Sequence, residues 1–222
     1  HNLIGSNSVT HIYTLQNHQL SGFHYFGKQW EFTWGGSYGI TSSEEPDRRQ
    51  VMYSKNDDGT LSLFKLNQQE TMRYFGNLDE NEWVGNVAMK YLWKEQNHVK
   101  VGFNYKDKTR DYAARRYYYS LGRLNPTIED IYTPSDFLNQ ENLANGTLEI
   151  RQRIQSHDAY KAGMNILAGY AVADLYPLPS LLVNVGLRYE YARQWVKYAI
   201  EGEDFYQNKR ELNKHDIFPT VN

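Results

Sequence analysis

Cysteine is absent from the 222 residues, which excludes disulfides and thiolate metal sites. No run of 18 apolar residues exists, so no segment reads as a transmembrane helix. Neither sign of charge is in excess. Lys plus Arg number 24 and Asp plus Glu 26, a net of −2, so no nucleic-acid partner and no anionic surface is indicated. A Gly-rich phosphate loop, a serine elbow and paired catalytic carboxylates are also missing. An enzyme is therefore not expected, and no cofactor is implied. The chain starts at His1 without an initiator Met or a basic-then-apolar leader, and residues 217–222 look like the opening of a further strand. Both ends are expected to be those of an excerpt.

Aromatic residues are abundant, with 19 Tyr, 9 Phe and 5 Trp, which suits strands, interfacial girdles or sugar-binding surfaces. The clearest pattern lies in residues 160–198. Leu181, Val183, Val185, Leu187, Tyr189 and Tyr191 alternate with Asn184, Gly186, Arg188, Glu190 and Ala192, apart from an apolar Leu182. That is the two-residue period of a strand with one apolar and one polar face. Upstream, Tyr160, Ala162, Met164, Ile166, Ala168, Tyr170 and Val172 form a second apolar stripe, opposite Lys161, Gly163, Asn165 and Gly169. Pro177 and Pro179 mark a turn over residues 174–179, so the whole reads as an antiparallel hairpin. Each arm keeps its alternation for the roughly 9–11 residues that a tilted strand needs to cross a bilayer. Strands in soluble proteins usually run about 5–6.

Along the rest of the chain, residues 10–26 are β-rich with poor alternation, and Gly27-Lys28 is a tight turn. Trp30, Phe32, Trp34, Tyr38 and Ile40 then face away from Gln29, Glu31, Thr33, Gly35 and Ser37. Residues 41–80 read as a long polar connection holding a small hairpin (50–54 with 61–66) closed around Asn56-Asp57-Asp58-Gly59. Trp83, Val87, Met89, Tyr91 and Trp93 define the next apolar face, opposite Asn86 and Lys90. After a turn at 94–98, Val99, Val101, Phe103 and Tyr105 alternate with Lys100, Gly102, Asn104 and Lys106, and the strand continues toward Tyr119. Residues 122–157 form a second long loop, with Asn125-Pro126 and Thr133-Pro134 as turn signals, and 201–214 a third.

Short connections thus alternate with long ones, as in an up-and-down membrane barrel with short periplasmic turns and long outer loops. The mean hydropathy of −0.75 taken alone favours a soluble domain. A barrel wall, however, shows apolar side chains only at every second residue and carries polar loops. The fold expected is all-β, with long antiparallel up-and-down strands, about six to seven of them, in one barrel segment spanning residues 1–222. The competing reading is a soluble extracellular carbohydrate-binding or adhesin β-sandwich, motivated by the aromatic load and the low hydropathy.

Three segments resemble the barrel of a TonB-dependent outer-membrane receptor of the Bacteroidetes type. They are residues 30–53, where an aromatic strand leads into Glu44-Glu45-Pro46-Asp47-Arg48-Arg49; Gly102-Phe103-Asn104-Tyr105-Lys106 running on to Arg115-Arg116-Tyr117; and Gly186-Leu187-Arg188-Tyr189-Glu190 followed by Phe218-Pro219-Thr220-Val221-Asn222. The resemblance implies a 22-stranded barrel with an N-terminal plug. It also implies location in the bacterial outer membrane in contact with its lipid, and partnership with that plug and an inner-membrane energy-coupling complex. The expected ligand is a scarce small molecule or glycan: a siderophore, haem, cobalamin or oligosaccharide. The chain has no plug, coupling box or aromatic C-terminal strand end, so it is expected to be an internal piece of about a third of such a barrel.

Candidate site residues fall in two groups. Lys100, Asn104, Asn184, Arg188 and Glu190 lie on polar strand faces and are expected to face the lumen, with Arg188 and Glu190 paired as a salt-bridge ladder. Arg110, Arg115, Arg116 and Tyr117 stand where the strand would leave the membrane on the outer side. Guanidinium groups grip carboxylates and phosphates, and tyrosines stack on rings, so this cluster could meet a ligand or serve as a solvated strand extension. His18 and His24 share a strand face but sit about 20 Å apart, so no metal site is expected.

Overall fold

A computed structural model describes residues 3–63, 70–94, 96–121, 127–128, 130–199 and 206–222. The elements in chain order are β1 (Leu3–Ser8), β2 (Ile12–Phe26), β3 (Trp30–Lys55), β4 (Leu61–Leu63), β5 (Met72–Trp93), β6 (Asn97–Leu121), β7 (Thr127–Ile128), α1 (Gln140–Ala144), β8 (Leu148–Arg153), β9 (Ala159–Leu178), β10 (Leu181–Tyr198) and β11 (Asn208–Val221). Among the described residues no helix is long and apolar enough to cross a membrane. The structure is all-β, antiparallel and up-and-down, and its long strands reach 26 residues in β3 and 25 in β6. Strands of that length exceed the usual range of about 3–10 residues.

The chain divides into two compact units. The larger contains Thr14–Ser42, Asp79–Asp111 and Ala159–Asn222. Its strands follow the order β11-β10-β9-β6-β5-β3, with β2 also on β3. Tight turns join β2 to β3, β5 to β6 and β9 to β10, each bridged by very few residues. Gly27 takes the left-handed conformation (φ +68°) in the first of these.

Register assigns the faces, because residues directly opposed on antiparallel strands point the same way. Val185 opposes Ala173 and Val221, Leu187 opposes Ala171 and Pro219, and Tyr189 opposes Gly169 and Ile217. This face is exposed: Val185 is 42 % and Leu187 54 % accessible, with Val101 and Trp83 at 55 % on β6 and β5. No second layer of the described residues covers them, as a β-sandwich would require.

The same register corrects the stripe expected on β9. Arg188 opposes Tyr170, Glu190 opposes Ala168, and Ala192 opposes Ile166. The even-numbered residues from Tyr160 to Val172 therefore share the face of Arg188, and Leu167, Ala171, Ala173 and Leu175 share that of Leu187. From Ile166 to Ala173 both parities of β9 are apolar or small, so alternation there carries no phase. The turn sets it. That turn is Pro179-Ser180 alone, shorter than expected, and Pro177 lies inside β9, where the pairing is irregular between Leu181 and Val183. An irregular register leaves room for a residue that cannot donate to the ladder.

Two connections also prove shorter than expected. Residues 41–55 extend β3 and 72–80 begin β5, so the long polar connection shrinks to 56–71. β11 starts at Asn208, and residues 217–221 are its end, paired with β10 as far as Val185. Residues 41–50 are polar on both faces, 208–214 nearly so, and 72–80 mix apolar and polar residues without alternation, which removes the hydrophobic period without removing the backbone pairing. The outer arm of the small hairpin at 64–66, the Asn125-Pro126 signal and residues 201–205 of the third loop lie outside the described residues.

The smaller unit contains His1–Tyr13, Ser43–Leu78 and Tyr112–Asp158. Here β3 pairs with β1 and β4, β4 with β7, and β6 with β8. The turn closing β3 on β4 has Gly59 at φ +88°, donating to the Asn56 carbonyl at 3.0 Å, while Asp58 accepts from the Thr60 amide. Val51, Tyr53, Leu61, Ile128, Phe137 and Leu148 form a compact buried cluster. Short helical turns at Pro134–Asp136 and in α1, the latter capped by the Asn139 side chain on the Asn142 amide, bring Phe137 into it.

Two predictions follow from these contacts. Leu148 is 1 % exposed, so Leu148→Ala should cost about 2–5 kcal/mol, read as an earlier urea midpoint for proteolytic protection of segment 130–158. On β11, beyond the apolar residues, Glu211 receives Lys209 Nζ at 2.6 Å and Arg193 Nε at 2.7 Å. Lys209 first, then Arg193, draw its carboxyl down to about 2. A folded value below the ordinary one means stability that is present above about pH 4.5 and lost as pH falls toward 2. The Glu211 carboxyl resonance should titrate near 2, and a midpoint near 4.5 would show that the pairing does not persist.

Candidate functional site

The charged face of the larger unit is built by period-two alternation on consecutive strands. On β5, Glu80, Glu82 and Lys90 point to it; on β6, His98, Lys100, Asn104, Lys106, Lys108 and Arg110; on β10, Asn184, Arg188 and Glu190. The side chains interlock across strands. Lys106 Nζ meets Glu82 at 2.9 Å, and Lys108 Nζ meets Glu80 at 2.5 Å and Glu82 at 3.6 Å. Arg110 donates through Nε and Nη2 to the same oxygen of Glu80, at 2.8 and 2.5 Å. Burial pushes the Glu80 carboxyl up, but the Lys108 ammonium and the Arg110 guanidinium together hold it below the usual range.

Nearer the short turns, Arg188 donates Nε and Nη2 to Glu190 at 3.2 and 2.8 Å. In the orientation that satisfies both ends of its amide, Asn104 accepts from Arg188 Nη1 at 2.9 Å. Asn184 donates to Asp174, which also holds His98 Nε2 at 3.0 Å. Lys100 and Asn104 line a cavity of about 440 Å³ beside Tyr170 and Asn86. The Tyr170 ring packs over Gly102: a Cβ there would stand 2.3 Å from its Cζ, so any larger residue would have to displace the ring. The five residues assigned to the polar face, Lys100, Asn104, Asn184, Arg188 and Glu190, therefore stand on one face, and three of them form one hydrogen-bonded chain.

Arg110, Arg115, Arg116 and Tyr117 do not come together. Period two sends Arg110 and Arg116 one way along β6, and Arg115 and Tyr117 the other. Arg115 is exposed. Tyr117 packs edge-on against Phe75 at 5.9 Å. In the smaller unit Arg116 is bound to the buried carboxylate of Asp158, donates to Gln155 Oε1 at 3.0 Å and lies 5.3 Å over the Tyr74 ring. Its guanidinium clasps the end of the 130–158 segment onto β6.

A second cavity, of about 550 Å³, opens on the charged face where β6, β9, β10 and β11 run side by side. Its floor is Ala162, Met164, Val196 and Leu212; Lys108, Arg110 and Arg210 stand around it. Sequence reading missed Glu80 and Arg210, both assigned to loops, and Glu82, just past the first loop. The spacing Glu80-x-Glu82 against Lys106-x-Lys108-x-Arg110 was the available signal, since opposite charges two apart on neighbouring strands are a cross-strand ladder.

No family model matches the sequence, and no curated protein does. Among solved structures the fold is similar to that of the siderophore receptor PiuA from Acinetobacter baumannii, at a TM-score of 0.52 and 11 % identity. The likeness covers 94 % of this chain and 30 % of that one, so the chain spans about a third of the receptor's length. What the two share is a fold, an antiparallel up-and-down sheet of the β-barrel kind.

Proposed function

We propose that this chain is a wall segment of a TonB-dependent outer-membrane receptor that takes up a scarce small-molecule nutrient. The observation that carries this is the two-faced sheet of the larger unit, with bare apolar side chains on one side and an ionic ladder on the other. A soluble protein pays a heavy hydration cost for such a face, whereas hydrocarbon removes it. The band has the right height. Val183 to Tyr191 on β10 and Trp30 to Ile40 on β3 span nine and eleven residues, or eight and ten steps along the strand. At ~3.3 Å per residue and a tilt of roughly 40°, that is about 20–25 Å, near the ~25 Å of an outer-membrane barrel.

Aromatics support the same reading. Trp30 and Tyr91 pack at 4.5 Å near the short turns, with Trp93 next to Tyr91, while Tyr38 and Trp83 pack at 4.3 Å toward the far edge. Rings at both edges of a band are what interfacial girdles require. In this reading the short turns face the periplasm, the long connections capture ligand outside, and the ladder lines the lumen. A plug and an inner-membrane energy-coupling complex are the partners. The neighbour of similar fold is a siderophore receptor, which makes a siderophore one candidate beside haem, cobalamin and glycans. No reaction is assigned to the chain.

The test is insertion of the full-length protein. Val185→Arg, on the bare face, should cost roughly 2–4 kcal/mol and sharply reduce the heat-modifiable folded form recovered from outer membranes. Gly186→Ser, one residue along and on the charged face, should insert normally. Equal recovery of Val185→Arg and the parent protein would refute the assignment of the lipid face.

A further inference from the structure

Resting on that receptor reading, we propose that the cavity between β6, β9, β10 and β11 is a subsite for a small organic anion, an aryl carboxylate in particular. Its volume of about 550 Å³ lies within the range of small-molecule sites. Two properties define the occupant. The first is charge. Lys108, Arg110 and Arg210 stand around the cavity; Lys108 and Arg110 are paired with Glu80, and Glu211, the carboxylate on its rim, is held by Arg193 and Lys209. Arg210 is the unmatched one: among the described residues no carboxylate lies within ion-pair distance, and its nearest polar contact is the Tyr198 hydroxyl at 3.4 Å. A guanidinium with its fork undirected is suited to a planar carboxylate, which it can hold by two parallel hydrogen bonds.

The second property is the floor. Ala162, Met164 and Val196 present carbon and one thioether, so a free inorganic anion would leave them bare. Met164 Sδ is polarisable and favours the edge of an aromatic ring. An aryl body on that floor, with its carboxylate toward Arg210 and Arg110, satisfies both halves of the cavity. A neutral ring would leave Arg210 unmatched, and a bare phosphate would leave the floor in water.

The probe is 2-naphthoate, compared with neutral 2-naphthalenemethanol, on the full-length protein in lipid nanodiscs, read by equilibrium dialysis and saturation-transfer NMR. Naphthoate should be retained about tenfold better than the alcohol. Arg210→Gln should erase that preference, and Ala162→Phe, which fills the floor, should weaken both probes. Arg193→Gln removes an equal charge from the opposite face of β10 and should leave binding unchanged. Equal retention of the two probes, or naphthoate binding untouched by Arg210→Gln, overturns the subsite. Recovery of folded protein separates the two ideas: normal insertion with no preference for naphthoate sinks the subsite alone, whereas normal insertion of Val185→Arg sinks the receptor reading.

Discussion

Everything on the larger unit depends on the register between β9 and β10. The pairing runs from Val183 opposite Leu175 to Tyr198 opposite Tyr160. Side chains alternate with a period of two, so a slip of one residue would carry Arg188 and Glu190 to the bare face and Leu187 to the charged one. Neither outcome is tolerable. On the receptor reading, charges turned to the bare face would lose their hydration, and leucine in the ladder would break the chain from Asn104 through Arg188 to Glu190. The sheet is held in phase by chemistry on both sides at once.

The charged face is a network rather than a set of isolated pairs. Glu80 serves Lys108 and Arg110 together, and Glu82 serves Lys106 and Lys108. Single exposed ion pairs contribute little, whereas a shared carboxylate fixes several long side chains in one arrangement. The network's purpose is therefore better sought in what it orders than in stability. It orders a hydrated face with the unmatched Arg210 on β11, and the carbon floor between β9 and β11 gives that cation a place to act.

The smaller unit solves a different problem. Its backbone leaves the regular meander, so it needs a core of its own, and Tyr53 and Leu148 supply the centre of it. Arg116 on Asp158 ties the returning segment to β6. The Arg116 guanidinium is turned to the buried Asp158 carboxylate and the Tyr74 ring, away from Arg115 and Tyr117. That is why a run of arginines and tyrosines can look like a binding cluster in sequence and act as a clasp in the fold.

Alternation alone revealed the strands that are apolar on one face and polar on the other. Trp30 to Ile40, Trp83 to Trp93, Val99 to Tyr105 and Val183 to Tyr191 were legible because an apolar face on one side and a polar face on the other write the period into the residues themselves. The polar face of β6 and β10 was legible for the same reason. Three things were decided only by tertiary structure. The phase of β9 was one, since its small residues fit either face and a two-residue turn chose. The non-alternating extensions of β3, β5 and β11 were another, because backbone hydrogen bonds hold a strand without regard to side-chain hydropathy. The third was the meeting of Glu80 with Lys108 and Arg110, and of Arg210 with the floor beneath it. Such contacts depend on how far each strand is offset from its neighbour, and no local pattern in a chain records that offset.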